Sequence, residues 1–184
     1  MHAKLLDPAW IPAGDRCKLC QGAIDDATMN DPMGKLPSWV SVSTGESEWA
    51  GGFVDFAPVA ESFRDFLNYT LVEQERILKH RLSIVYVCGL DHFNKCSDVR
   101  KMAELDNIIP AIVFRNGNDE QMITSVCKSP KIIYVPLTRD RKKMIDVSST
   151  QIRQYFQKPS ASNRNIEKYI YPNVHEYMTR KYNQ

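Results

Sequence analysis

The chain has no apolar run of 18 residues, so no segment reads as a membrane-spanning helix. It also has no apolar stretch of the kind that forms the middle of a signal peptide, and its opening Met-His-Ala-Lys-Leu-Leu is too short and irregular for a transit peptide. Five cysteines in 184 residues are too few for a disulfide framework. Cys17 and Cys20 form a lone Cys-x-x-Cys pair, with no second Cys or His pair at a zinc spacing, and no metal-ligating set is assigned. Three residues apart, they can share one helix face as small apolar side chains. Cys88, Cys96 and Cys127 read as buried thiols of a reducing compartment. The expectation is an intracellular protein, with cytosol, nucleus and mitochondrion undistinguished. Repeats, low-complexity tracts and linkers are absent, which implies a single domain over residues 1–184. A one-sided charge is lacking too: the net charge is +2, and no aromatic-rich strand pattern accompanies the basic residues, so nucleic acid is not an expected partner.

What is present is the composition of a soluble globular chain, 43% hydrophobic and 25% charged, long enough to bury one core. Charge is unevenly placed. From Lys128 onward there are 12 Lys/Arg against 4 Asp/Glu, while the first 127 residues hold 12 against 18. A basic C-terminal third suits phosphate-rich ligands, although the run from Arg139 to Lys143 reads equally as a solvated loop. Residues 11–24 suggest a helix opening after Pro12, 28–38 a turn-rich loop, Trp39 to Val42 a short strand, and Gly45 to Pro58 a second loop. From Val59 to Leu82 the pattern is helical, with Phe63, Phe66, Leu67, Leu71, Ile77 and Leu78 as a core-facing stripe. Beyond it, apolar runs at Ile84–Val87, Ala111–Phe114 and Lys131–Val135 alternate with helix-capable segments. That alternation implies βαβ units and an α/β fold with a parallel sheet.

Three stretches carry chemistry. Residues 148–153 read Ser-Ser-Thr-Gln-Ile-Arg. Hydroxyls opening a helix offer O–H groups and unpaired backbone N–H groups at the positive end of its dipole, where a phosphate is stabilised, and Arg153 lies one turn on. The same residues also read as an ordinary N-cap followed by a surface arginine. Residues 84–96 form a strand-like run that breaks at Gly89, with Asp91 two residues later; Asp91 alone reads as readily as a turn or cap carboxylate. A second apolar run from Ile112 ends in Arg115-Asn116-Gly117-Asn118-Asp119.

Strand, Gly-x-Asp, strand, Arg-x-Gly-Asn-Asp, then a Ser-Ser-Thr-x-Ile-Arg helix resembles, in that order, the eukaryotic nicotinamide/nicotinate mononucleotide adenylyltransferases. Ile11-Pro12-Ala13-x-x-Arg16 is similar to the start of the helix after that family's second strand. Trp39-Val40-x-Val42 is similar to its third strand, and Pro172, Val174 and Tyr177 to its closing helix. The resemblance spans roughly residues 11–182. It implies a Rossmann-like sheet of the nucleotidyltransferase type, with ATP and nicotinamide or nicotinate mononucleotide as ligands. The mononucleotide phosphate would attack the α-phosphate of ATP and pyrophosphate would leave, with Mg²⁺ accompanying ATP. It further implies that Gly89 lets the backbone approach the adenosine and that Asp91 accepts hydrogen bonds from the ribose hydroxyls. Ser148, Ser149, Thr150 and Arg153 would hold the phosphates, and Asn118 and Asp119 would lie towards the adenine. His92 matches no family motif and is not taken as a base.

The 184 residues also depart from the family. They contain no Gly-x-Phe-x-Pro loop and no following histidine, which bind the triphosphate there. Where the family carries aromatics that stack on the nicotinamide ring, this chain has Ser43-Thr44-Gly45-Glu46, and the segment from Asn94 to Asp98 holds no tryptophan. The expected sheet is therefore incomplete at its N-terminal, central-strand side. A protein partner or a further N-terminal segment would complete it. Three readings follow: an adenylyltransferase whose 184 residues alone do not turn over, a non-catalytic relative reused as a subunit or scaffold of a larger assembly, and a different nucleotide-handling transferase of the same fold, which would explain the missing tryptophans but not the missing loop.

Overall fold

The three β-branched runs form a parallel sheet in the computed structural model, which describes residues 11–30, 40–52, 54–126, 131–136, 147–158 and 164–182. Strands β1 (Ile84–Gly89), β2 (Ile108–Val113) and β3 (Ile133–Val135) lie side by side in that order. Ile84 pairs with Ile108 and Gly89 with Val113, while Ala111 to Val113 pair with Ile133 to Val135. The chain is thus mixed α/β, as the alternation implied. Pro110 sits inside the central strand, where a missing N–H is ordinarily costly. The ladder explains its tolerance. Phe114 donates its N–H to the Val135 carbonyl at 3.0 Å, so even-numbered residues of β2 face β3, and β3 begins only opposite Ala111.

By contact the chain divides into two compact units, Gly51–Asp146 and a second built from Met1–Ala50 with Val147–Gln184. In the first, α3 (Phe56–Asn68), α4 (Leu90–Lys95), α5 (Ser97–Lys101) and α6 (Gln121–Val126) accompany the sheet. Apolar residues three apart do the packing: Leu90 with Phe93 and Val99 with Met102 are each fully buried. Leu90, Phe93, Val99, Ile112, Ile123 and Ile132 make one core cluster, against which Tyr86, Cys88 and Tyr134 pack. Ala60, Met102 and Ile108 make another. Arg100 reaches back to donate from Nη1 to the carbonyls of Phe93 (2.7 Å), Asn94 (3.2 Å) and Cys96 (3.3 Å), satisfying the C-terminal end of α4. On the two flanking strands the alternate residues are left open, although Ala111 between them is buried. Val85, Val87, Ile133 and Val135 are 48%, 64%, 45% and 39% exposed, unusual for a parallel sheet, whose faces are normally both covered.

In the second unit α1 (Ala13–Met29), α2 (Gly45–Glu48), α7 (Ser149–Gln157), α8 (Arg164–Glu167) and α9 (Pro172–Tyr182) are described. Asn173 donates to the Leu19 carbonyl at 2.9 Å and Tyr177 Oη to Asp15 Oδ2 at 2.9 Å, which fastens α9 to α1. Gly22 gives Asn173 room, because a Cβ there would collide with the amide. Phe156 of α7 packs against His175 and Tyr182 of α9, with ring centroids 5.3 and 6.3 Å apart.

Several expectations are corrected. The helix expected over Val59 to Leu82 starts at Phe56, where the Asp55 carboxylate caps the Phe56 N–H at 2.8 Å. It passes into a π-helical turn at Tyr69–Gln74 and stops, because Arg76 adopts φ 53°. The expected stripe is only partly inside: Phe63, Phe66 and Ile77 are exposed and Leu67, Leu71 and Leu78 half-buried, while Ala60 and Asn68 are the buried residues. Asn68 stitches the helix to the strand entry, donating to the Arg64 and Leu82 carbonyls and accepting the Leu82 N–H at 2.6 Å. The helix expected over 11–24 runs from Ala13 to Met29, and Gly45–Glu48 inside the expected second loop is helical. The strand expected at Trp39 to Val42 is not formed by Val40 to Val42; Trp39 lies outside the described residues, as does Arg139 to Lys143. Val42 instead donates its N–H to the Gln21 side chain at 3.5 Å. Four alternating residues were too short a signal to separate strand from loop. Cys20 is exposed and Cys17, Cys88 and Cys96 are half-buried, so burial as small apolar core residues does not hold for Cys20 and is partial for the rest; Cys127 lies outside the described residues.

These packings separate two phenylalanines that look alike in sequence. Phe93→Ala should cost about 3–5 kcal/mol of unfolding free energy. Phe66→Ala should cost no more than about 0.5 kcal/mol. Urea denaturation followed by circular dichroism measures both, and equal losses would restore the aromatic stripe to the core.

Candidate nucleotide site at the strand ends

The register of β1 on β2 builds the site. Gly89 pairs with Val113, so the second residues past each strand end, Asp91 and Arg115, come together. Asp91 Oδ2 and Arg115 Nη1 are 3.1 Å apart, with the side chains 27% and 38% exposed. Gly89 leaves room for the carboxylate in its present position, since a Cβ there would lie 2.6 Å from Asp91 Oδ1. One carboxylate oxygen therefore folds over the glycine while the other meets the arginine. Asp91 lies in the first turn of α4, whose Leu90 and Phe93 are fixed in the core on either side.

The Asn116–Asp119 turn follows, closed by Gly117 at φ 75° and by Asn118 Nδ2 donating to the Asn116 carbonyl at 3.2 Å. Asp119 Oδ1 accepts the Gln121 N–H at 2.7 Å at the start of α6, and its carbonyl accepts from Asn94 Nδ2 at 2.8 Å. The geometry thus assigns Asn118 and Asp119 to turn closure and helix capping and ties that turn to α4. His92 packs edge-on to Phe56 at 5.0 Å, its Nε2 3.4 Å from Tyr86 Oη.

The Ser148 to Arg153 hexad belongs to the other unit, so the structure brings Gly89, Asp91, Asn118 and Asp119 together but describes this set by itself. It opens α7 with a capping box: Ser148 Oγ accepts the Gln151 N–H at 3.2 Å, and Gln151 Oε1 accepts the Ser148 N–H at 2.6 Å. Ser149 and Thr150 are exposed, and Arg153 turns back along the helix to place Nη2 3.4 Å from Thr150 Oγ1. The cap reading is realised at Ser148. The hydroxyls of Ser149 and Thr150 and the guanidinium of Arg153 remain gathered on the first turn.

Sequence reasoning assigned no role to Arg115, Asn94 or Arg100. Only the strand register, which pairs positions two past each end, points to the first. The other two act on backbone carbonyls and leave no residue pattern. Among the described residues no group of three or more His, Cys, Asp or Glu side chains could hold a metal ion, and Asp91 and Asp119 are already engaged. No described helix is long and apolar enough to cross a membrane. A cavity of about 580 Å³ opens at the opposite, amino-terminal strand ends, lined by Arg64, Asp65, Asn68, Arg81 and Asp106 among others, and includes none of the sequence-predicted site residues. Comparison with protein-family models, with curated proteins and with solved structures finds no match for this chain.

Two outcomes test the local geometry. Gly89→Ala should displace the Asp91 carboxylate and weaken ligand binding, with a melting temperature close to the parent's; a large loss of stability would make Gly89 a packing residue. Burial, aided by the negative charge of Asp91, pushes the Cys88 thiol up to about 11. A raised value keeps the thiol protonated through neutral pH, so iodoacetamide at pH 8 should label exposed Cys20 well before Cys88. Labelling of Cys88 should rise only as pH climbs from about 9 towards 11, and fast labelling at pH 8 would contradict the assigned burial.

Proposed function

We propose that this chain is an adenylyltransferase-like, adenine-nucleotide-binding protein of the nucleotidyltransferase Rossmann type. In this reading Gly89 and Asp91 hold the nucleoside, and Ser148, Ser149, Thr150 and Arg153 are the phosphate-holding set. The observation that carries it is the Gly89–Asp91 pair at the carboxyl end of β1. Parallel α/β sheets take ligands outside the carboxyl ends of their strands, and a carboxylate there suits the paired hydroxyls of a ribose. The order of the sequence motifs supports the same reading. Asn118 and Asp119 act through the turn they close. The 184 residues hold no Gly-x-Phe-x-Pro loop, so the proposal for them alone is binding without turnover.

Isothermal titration of the purified chain with MgATP tests this. Asp91→Ala should abolish or strongly weaken binding, and Arg153→Ala should cost about 1–3 kcal/mol. Failure of the parent chain to bind MgATP overturns the reading. Incubation with MgATP and nicotinamide mononucleotide should yield no dinucleotide, and detectable product would refute the absence of turnover.

A second reading, a non-catalytic subunit, is favoured by the state of β1. Among the described residues no strand pairs with its outer edge, its six residues carry no charge or proline, and Val85 and Val87 are exposed. Such an edge is a template for strand addition by a protein partner. Under this reading the amides of Val85 and Val87 exchange rapidly in the isolated chain and are protected in the native assembly. Protection already present in the isolated chain would count against it.

A further inference from the structure

We infer that Arg115 is a ligand-exchanged latch: it holds Asp91 in the free protein and passes to an anionic group of the ligand when a ribose takes the carboxylate. The inference rests on the nucleotide reading above. Four observations carry it. Among the described residues the guanidinium makes one hydrogen bond, from Nη1 to Asp91 Oδ2 at 3.1 Å, although it has five donors in a fork. The pair is therefore monodentate, and most of the fork is left for planar recognition of phosphate or carboxylate. Both side chains are partly exposed, at 38% and 27%, and a pair so placed contributes little to stability, so exchanging it costs little.

The third observation is that both residues stand two positions past paired strand ends, so the ladder brings the two segments side by side and a change of side-chain torsions suffices for the exchange. The fourth is that Asp91 Oδ1 lies over Gly89, in space that a side chain at that position would occupy. Losing Arg115 to an anion would then open the carboxylate to a hydroxyl. The consequence is selectivity. A nucleotide engages both partners, whereas a neutral nucleoside gains Asp91 only in competition with the arginine.

The test is calorimetric titration of the full chain with ATP and, separately, with adenosine, in the parent and in Arg115→Ala. The parent should prefer ATP. In the variant, ATP affinity should fall roughly tenfold or more while adenosine affinity holds or rises. Equal losses for both ligands would show that Arg115 only positions Asp91, and unchanged affinities would show an inert surface pair; either overturns the latch while the nucleotide reading stands. If the parent binds neither ligand, the nucleotide reading fails and the latch with it. Should Arg115→Ala not fold by circular dichroism, Arg115→Lys keeps the charge without the fork, and its ATP preference should fall part-way; full retention would overturn the latch.

Discussion

The parallel register of β1 on β2 is the constraint on which the candidate site depends. Once Gly89 is set against Val113, the residues that follow have nowhere else to go, and a carboxylate and a guanidinium two positions on meet at 3.1 Å. A shift by one residue would turn the strand's side chains over and separate the charges. The register is held by the buried set on one face, where Ile108, Pro110 and Ile112 align with Ile84, Tyr86 and Cys88. Core packing and site geometry are one problem here. Leu90 and Phe93 anchor the turn that carries Asp91, and Arg100 secures the far end of the same short helix through three carbonyls.

The charge pattern follows the same economy. A six-residue helix has little cooperative stability of its own, so α4 is maintained by tertiary groups at both ends. The Asn94 amide reaches the Asp119 carbonyl, so the turn after β2 is tied to the helix after β1. The two loops at the carboxyl ends of adjacent strands thereby form one connected surface.

Much of this architecture was legible in the residues. β-branched runs at 84–87, 111–114 and 131–135 located the three described strands, and Pro172 with Val174 and Tyr177 located α9. The order of helix and strand implied the parallel sheet. Where the reading went astray, the reason is physical. Phe63 and Phe66 looked like a core stripe because helical spacing reports that one face is apolar, not which neighbour that face meets; the small Ala60 allowed a close approach to the sheet on another side. The helix end at Gln74 depends on a left-handed backbone at Arg76, a residue type without intrinsic preference for it. In the site, Gly89 and Asp91 were visible as a spaced pair, and Ser148 as a cap. Arg115's partner was not, because ladder register is a relation between segments and has no signature in either one.

The fastening of α9 to α1 has a consequence for how the polypeptide is made. Asn173 and Leu19 are 154 positions apart, and Tyr177 and Asp15 are 162 apart. The strands and their helices lie between them and have left the ribosome before α9 exists. The sheet-bearing unit can therefore collapse while the N-terminal helix still waits for its partner. Until α9 has been synthesised, α1 lacks the hydrogen bonds from Asn173 and Tyr177. Joining the two closes a long loop, whose entropic cost grows only slowly with its length.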